Sequence, residues 1–190
     1  MRFYILIVLV LLLQCKKAEK RNIGSENSKD KVELGTSSEG LKVKVEGDSV
    51  EIPSYQLEVK LSEDAVKKLN ANKETIVIST YFYGMPKDST LLSADVKKNL
   101  DLYGLNLLKK DRELKMIEKN NLIKFDHLKI PKSLYNALID NNISLNVNVY
   151  SGRRSFNDNI LDIDAYDGNY GEVLKQSGIL KLNGKLLSID

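Results

Sequence analysis

Period-two alternation of apolar and polar residues is the feature that most constrains the fold of this chain. In residues 143–150, isoleucine, leucine and valine alternate with serine, asparagine and tyrosine, so one face is apolar and the other is rich in amides. Successive side chains of a β-strand point to opposite faces, so this pattern predicts a strand with one buried face. The same alternation over residues 41–52 and 55–61, and a β-branched and aromatic run over residues 75–83, predict further strands.

Two short segments predict helices between these strands. Residues 62–69 begin with a serine, continue with acidic residues and end with lysines, which is the charge order that a helix favours. Residues 131–139 begin with a proline, which is common at a helix start. Residues 90–122 are harder to interpret: leucines around Gly104 favour strands, whereas Ser93 and the residues after it could equally start a helix. Of the two, we expect strands.

Turn chemistry predicts two hairpins. Gly47-Asp48 separates the two alternating halves of residues 41–52, and Asn183-Gly184 lies between two short apolar segments near the C-terminus. Asn-Gly is the strongest short signal for a two-residue hairpin turn. We therefore expect a closing hairpin around Asn183-Gly184.

A shift of the sequence by 69 residues superimposes two strand, helix and strand units. The matched pairs are Leu61 with Ile130, Ala65 with Leu134, Leu69 with Leu138, Asn72 with Asn141, Ile76 with Leu145, and Ile78 with Val147. Chance agreement of apolar positions is the alternative. If the repeat is real, each helix carries the chain from one sheet to another, and the loops after Gly84 and Gly152 share one rim.

These patterns predict a mainly β fold: an antiparallel β-sandwich of seven to nine strands with two or three short crossover helices. We expect a single β-sandwich domain at residues 41–190, preceded by a disordered tether. Residues 16–40 contain almost no large apolar side chain and cannot form a core.

Charge and cysteine content exclude some classes of function. The chain has 29 basic and 26 acidic residues and a formal net charge of +3, without the concentrated basic surface that nucleic-acid binding needs. The one cysteine, Cys15, excludes an intramolecular disulfide and a zinc site built on thiolates.

An apolar run over residues 3–13, preceded by Met1-Arg2, has the layout of a secretory signal. It is too short for a transmembrane helix, which needs roughly 20 residues. The segment Leu12-Leu13-Gln14-Cys15 that ends the run resembles the lipobox of bacterial lipoproteins, although Gln14 stands where that class usually has glycine, alanine or serine.

The lipobox resemblance implies that residues 1–14 are a signal peptide and that residues 15–40 are a lipidated cysteine and a disordered tether. Cys15 would then be the mature N-terminus and anchor the protein to a membrane of the cell envelope. Lys16 after the cysteine implies the outer membrane by the same resemblance.

Candidate catalytic groups are sparse. His127 is the single histidine, and no nucleophile motif surrounds any serine, so an end-of-strand surface histidine is the simpler interpretation. Asp162 and Asp164 alternate on one strand face, which is more often a solvated edge than an acid pair. The segment that follows fails the calcium-loop pattern. We predict no enzyme activity, no metal and no cofactor.

The loop after residues 143–150 is the main candidate for partner binding. Ser151-Gly152 precedes the adjacent Arg153 and Arg154, and Phe156 follows closely. Two guanidiniums on a loop suit the recognition of carboxylates in a partner's cleft. The segment partly resembles the Ser-Gly loop of bacterial periplasmic and lipid-anchored lysozyme inhibitors. That resemblance implies a loop that enters an enzyme cleft, with a hydrolase or a toxin as the protein partner.

Tyr81 and Tyr83, at the end of residues 75–83, provide an alternative site. In that hypothesis the chain is a structural or adhesive surface lipoprotein that binds a glycan or a host protein through its tyrosines. The simpler interpretation of the same residues is core and edge packing. Both functional hypotheses describe a binding protein without catalytic activity.

Overall fold

The computed structural model describes residues 41–188. The predicted signal peptide, the predicted lipidation at Cys15 and the tether lie outside the described residues, as do the last two residues of the domain predicted at 41–190. Within residues 41–188, no helix has the length and apolar character needed to cross a membrane.

The described part of the chain is mainly β, as predicted, but it contains twelve strands in place of seven to nine. The strands are β1 (Lys44–Glu46), β2 (Ser49–Ile52), β3 (Tyr55–Leu61), β4 (Ile76–Gly84), β5 (Leu100–Asp101), β6 (Gly104–Leu114), β7 (Asn120–Phe125), β8 (Leu128–Pro131), β9 (Ser144–Ser151), β10 (Leu161–Ile163), β11 (Tyr166–Asn169) and β12 (Ile179–Leu186).

Four short helices connect the strands. They are α1 (Glu63–Ala71), α2 (Ala94–Lys97), α3 (Lys132–Asn136) and α4 (Tyr170–Lys175), and a 3₁₀ turn covers Ile139–Asn141. The serines before α1 and α2 cap them: Ser62 accepts a hydrogen bond from the Ala65 N–H, and Ser93 accepts one from the Val96 N–H. The helix predicted at residues 62–69 is confirmed. Residues 90–122 contain both predicted alternatives: the strands expected around Gly104 are β5 and β6, and the helix start at Ser93 leads into α2.

The strands form three sheets. A five-stranded antiparallel sheet has the order β11-β9-β4-β6-β5, a four-stranded sheet has the order β10-β12-β3-β7, and a three-stranded sheet has the order β1-β2-β8. The β12–β3 pair is parallel and every other strand pair is antiparallel. The predicted central strand at residues 75–83 lies in the middle of the five-stranded sheet as β4.

One hydrophobic core joins the inward faces of all three sheets. At its centre, the Tyr55 ring stacks on Phe125 with 4.9 Å between centroids, and it meets Phe82 and Tyr170 edge to face. Aromatic pairs of this kind add about 0.5–1.5 kcal/mol beyond their buried area. The alternating strands therefore bury one face each, as their sequences predict.

The two repeated units are present as strand, helix and strand. The unit β3–α1–β4 leads from the four-stranded to the five-stranded sheet, and the unit β8–α3–β9 leads from the three-stranded to the five-stranded sheet. Each helix therefore connects two different sheets, as expected. Because β4 and β9 are antiparallel neighbours, the C-terminal end of each strand lies beside the N-terminal end of the other. The expected shared rim for Gly84 and Gly152 is wrong for this reason.

The predicted closing hairpin at Asn183-Gly184 is also wrong. β12 runs straight through both residues, and neither has the positive φ that an Asn-Gly hairpin turn requires. Gly184 pairs with Leu61 of β3 and with Ile163 of β10, so the strand is held on both sides. Pairing with two neighbouring strands satisfies the backbone groups that a turn would have used, so tertiary context overrides local turn chemistry.

Candidate functional site

The loop at residues 151–156 follows β9 and lies at the end of the five-stranded sheet where the neighbouring strand β4 begins. The Gly152 N–H donates a 2.8 Å hydrogen bond to the Thr75 carbonyl. A Cβ on Gly152 would lie 1.9 Å from Thr75 Oγ1, so a larger residue at this position would displace the Thr75 side chain. Ser151 is 0% exposed, and its hydroxyl accepts a hydrogen bond from the Ile160 N–H at 3.0 Å. Ser151 and Gly152 are therefore framework residues of the loop.

Glu74, which the sequence did not single out, holds this loop in place. Its carboxylate is 1% exposed and accepts hydrogen bonds from four backbone N–H groups. The donors are Thr75 at 2.8 Å, Arg154 at 3.0 Å, Ser155 at 2.8 Å and Phe156 at 3.3 Å. Burial opposes ionisation of this carboxyl, but the N–H donors outweigh it and the pKa of Glu74 lies below its usual value.

The two arginines have different environments. Arg154 binds Glu113 through two parallel hydrogen bonds of 2.9 Å, and Thr75 Oγ1 donates to the same carboxylate at 2.8 Å. The Arg154 hydrogen bond, followed by the one from Thr75, lowers the pKa of Glu113 to about 2. Arg153 is exposed, has a φ of 56° and makes no hydrogen bond or ion pair within the described residues. Both arginines are exposed, but within the described residues Arg153 is the one whose guanidinium has no internal partner.

Phe156 packs partly into the surface below this loop. Lys68 Nζ of α1 lies 5.4 Å from the Phe156 ring centroid, a cation–π contact. The ring therefore fastens the loop to α1, and the loop has a fixed shape because Glu74, Glu113 and Lys68 all engage it.

Tyr81 and Tyr83 lie at the other end of β4, on the solvent face of the five-stranded sheet. Their rings stack with centroids 5.5 Å apart and planes 15° apart. Tyr103, from the turn between β5 and β6, stands at 6.4 Å from Tyr81 and 6.1 Å from Tyr83, and it is 62% exposed. We call these three rings the tyrosine cluster. They line a pocket of about 340 Å³.

Carboxylates fix the phenol groups of the tyrosine cluster. The Tyr81 hydroxyl donates to Asp101, and the Tyr83 hydroxyl donates to Asp167 Oδ1 at 2.6 Å. Burial and the Asp101 carboxylate raise the pKa of Tyr81, while the hydrogen bond to Asp167 and burial raise the pKa of Tyr83. Both phenols therefore stay protonated at neutral pH and hold the rings in position.

Strand register extends this pocket into ordered rows across β6, β4, β9 and β11. One row is Lys109, Tyr81, Asn146 and Asp167, the next is Asn106, Tyr83, Ser144 and Asn169, and a third is Asp111, Ser79 and Asn148. Rows of outward residues are about 7 Å apart. The arrangement places aromatic rings beside amide, hydroxyl and carboxylate groups, so it can contact both the apolar and the polar parts of a small ligand.

Sequence reasoning found part of this pocket. It named Tyr81 and Tyr83 and recognised the amide-rich face that carries Asn146 and Asn148. It did not find Tyr103 or Asp167, because these residues join the pocket only through strand order and register. The alternating polar residues at 144–148 were the sequence signal for the part of the pocket that β9 contributes.

The other candidate groups have structural partners or lie apart. His127 is on the surface, with Nδ1 3.6 Å from Glu51 Oε1. Asp162 lies 3.6 Å from Lys185, and Asp164 accepts hydrogen bonds from the Asn183 backbone and side chain. In the part of the chain that the structure describes, no group of three or more histidine, cysteine or acidic side chains could hold a metal ion.

Comparison with known proteins adds no relative. The chain matches no protein-family model, no curated protein and no solved structure.

Proposed function

We propose that this chain is a saccharide-binding protein without catalytic activity, and that the pocket of the tyrosine cluster is its binding site. The observation that carries the proposal is the gathering of three tyrosine rings with amides, carboxylates and a lysine in one pocket on the open face of a sheet. Aromatic faces contact the C–H surfaces of sugars, and amides and carboxylates bond to hydroxyl groups.

The charge of the pocket supports a neutral ligand. Asp101 and Asp167 contribute two negative charges and Lys109 one positive charge, so the formal sum is −1. Lys109 also lies 3.9 Å from Asp111, which offsets its charge further. A polyanionic ligand would meet net repulsion there, whereas a neutral saccharide would not.

A glycan array tests the proposal directly. The full-length protein in mild detergent should bind neutral glycans in preference to acidic ones. Tyr83→Ala and Tyr103→Ala should each weaken binding about tenfold through lost ring contacts. Tyr150→Ala is the matched control, because Tyr150 is on the same sheet face but outside the pocket. Absence of binding to every glycan, or equal loss with Tyr150→Ala, would contradict the proposal.

The proposed cellular location rests on the N-terminal sequence. We propose that Cys15 is lipidated and holds the protein on the envelope, with the outer membrane as the expected location. Two or three acyl chains, at about 0.8 kcal/mol for each buried CH₂, give stable anchoring. Labelling with a palmitate analogue should mark the wild type and not Cys15→Ala; equal labelling of both would contradict the anchor.

A second candidate function is inhibition of a lysozyme or neutralisation of a toxin. It is favoured by the shape of the loop at residues 151–156, which we call the arginine loop. Glu74 and Glu113 hold that loop rigidly, and Arg153 extends from it. Leu41, where the described domain begins, lines a pocket with Gly84, at the opposite end of β4 and about 30 Å away. A tether that joins at Leu41 therefore leaves Arg153 at the far end of the sheet.

Lysozyme assays test this second function. The full-length protein should lower lysozyme activity, and Arg153→Ala should weaken the inhibition by removing the exposed guanidinium. Arg154→Ala, which breaks the internal pair with Glu113, is the comparison variant. If the protein inhibits no class of lysozyme, the lysozyme version of this function is ruled out.

A further inference from the structure

A second pocket of about 490 Å³ lies beside the tyrosine cluster, at the end of the five-stranded sheet where β4 and β11 end and β9 begins. Its walls come from the end of β4, the 3₁₀ turn, the start of β9, the end of β11 and the first residues of α4. The residues that matter below are Asp140, Asn141, Asn142, Ser144, Asn169 and Glu172. None of these was singled out as a binding residue by the sequence.

The two pockets share one row of the sheet. Ser144 lines the second pocket and is paired in register with Tyr83, which lines the first. Asn169 lines the second pocket and is paired with Ser144, while Asp167 on the same strand lines the first. A ligand that extends from the tyrosine cluster along this row, from β4 across β9 to β11, therefore reaches the second pocket.

The 3₁₀ turn supplies polar groups to the second pocket. Asp140 and Asn141 both have positive φ, 50° and 51°, and no hydrogen bond of the described residues engages either side chain. Asn142 and Asn169 are joined by a 2.6 Å hydrogen bond between their amides, which forms a fixed wall. Aspartate and asparagine tolerate this backbone region better than other residues, apart from glycine.

The charge of the second pocket matches that of the first. Asp140 and Glu172 contribute two negative charges, and Lys175, 3.0 Å from Glu172, contributes one positive charge, so the formal sum is again −1. Both pockets are also rich in asparagine amides, which can donate to and accept from an acetamido group. One type of ligand therefore suits both pockets. Only the first pocket is lined by aromatic rings, so a ligand too short to span both occupies the tyrosine cluster.

We propose that the two pockets form one elongated site and that its ligand is a neutral, N-acetylated oligosaccharide long enough to occupy both. This inference rests on the proposed saccharide-binding function and extends it by ligand class and length. The tyrosine cluster takes one end of the chain, and the Asp140–Asn142 turn takes the other.

Calorimetric titration with N-acetylglucosamine oligomers of two and six units tests the inference on the full-length protein in detergent. The hexamer should bind about tenfold more tightly than the dimer, because it gains the second pocket. The double variant Asp140→Gly with Asn141→Gly should lower hexamer affinity about tenfold, as expected for the loss of about two hydrogen bonds, and leave dimer affinity unchanged.

Glycine is chosen because it removes both side chains and still accepts the positive φ of the turn. Lys73→Gly is the matched control: its φ is 53°, and it lies outside both pockets. Thermal unfolding checks that the variants remain folded. As an independent measurement, amide NMR shifts of residues 139–144 should change with the hexamer and not with the dimer.

The outcomes separate the two proposals. Equal affinity of dimer and hexamer, with Tyr83→Ala weakening both, overturns the elongated site and leaves saccharide binding at the tyrosine cluster intact. Failure of both oligomers to bind overturns the inference on ligand class, and the glycan array then decides the proposed function. Unchanged hexamer affinity in the double glycine variant also overturns the elongated site.

Discussion

Glu74→Gln should destabilise the protein because the buried carboxylate organises the arginine loop. The substitution keeps the shape of the side chain but replaces one oxygen, an acceptor, with an NH₂ group, a donor. Glu74 Oε2 receives the N–H groups of Ser155 and Phe156 and shares that of Arg154. In the variant at least two of these donors therefore face another donor or lose a charged acceptor.

The magnitude follows from those hydrogen bonds. A buried donor left without its acceptor costs about 1–3 kcal/mol, and two of them with some relaxation of the loop give about 2–4 kcal/mol. For a domain of this size, about 2–4 °C of melting temperature corresponds to 1 kcal/mol, so the Tm should fall by roughly 5–15 °C. Urea unfolding should show a lower midpoint, with an unchanged slope if the unfolded state is unaffected.

The effect should also depend on pH with a definite sign. The folded pKa of Glu74 lies below its usual value, so the stabilisation is present above the unfolded pKa of about 4.3. It is lost as the pH falls through the lower folded pKa. The stability difference between wild type and Glu74→Gln should therefore be constant near neutral pH and shrink in acid.

Hydrogen exchange identifies whether the loop is the source of the effect. The amides of Arg154, Ser155 and Phe156 should exchange faster in Glu74→Gln, while amides in β3 should change only as much as global stability does. Glu113→Gln is the control acid, and because its carboxylate lies at the surface its effect should be smaller. A Glu74→Gln protein with wild-type stability and unchanged exchange at residues 154–156 would refute the reasoning.

Two further predictions concern close contacts and titration. Gly152→Ala should lower the free energy of unfolding in urea by about 1–3 kcal/mol, because its Cβ would overlap Thr75 Oγ1. Thr75→Ala in the same chain should restore part of the loss. Strict additivity of the two changes would contradict a direct clash. In a near-ultraviolet titration, Asp167→Asn should let Tyr83 ionise at lower pH than in the wild type, because a neutral acceptor no longer opposes the phenolate. An unchanged titration curve would show that Asp167 does not control Tyr83.

Local sequence patterns predicted many of the helices and strands, but few of the pairings between strands. The alternation in residues 55–61 and 143–150 appears as β3 and β9, and Ser62 caps α1, because side-chain periodicity and capping act over a few residues. The hairpin predicted at Asn183-Gly184 was wrong because β12 is paired on both sides, with β3 and β10. A local turn preference of about 1 kcal/mol cannot compete with two strand pairings.

The candidate sites divide in the same way. The sequence by itself determined which residues could serve: Tyr81 and Tyr83 on an outward face, an amide-rich strand, and adjacent arginines after a glycine. Only the tertiary structure decided their roles. It pairs Arg154 with Glu113 and leaves Arg153 exposed, and it brings Tyr103 to Tyr81 and Tyr83.

Glu74 shows the physical reason most clearly. In the sequence it is one acid between a helix and a strand, without any pattern that distinguishes it. In the fold it meets three backbone N–H groups that lie about eighty positions away along the chain, and that encounter depends on β4 and β9 being neighbours in one register. Periodicity reports which face of a strand is buried, whereas the choice of neighbouring strand depends on the free energy of the whole core.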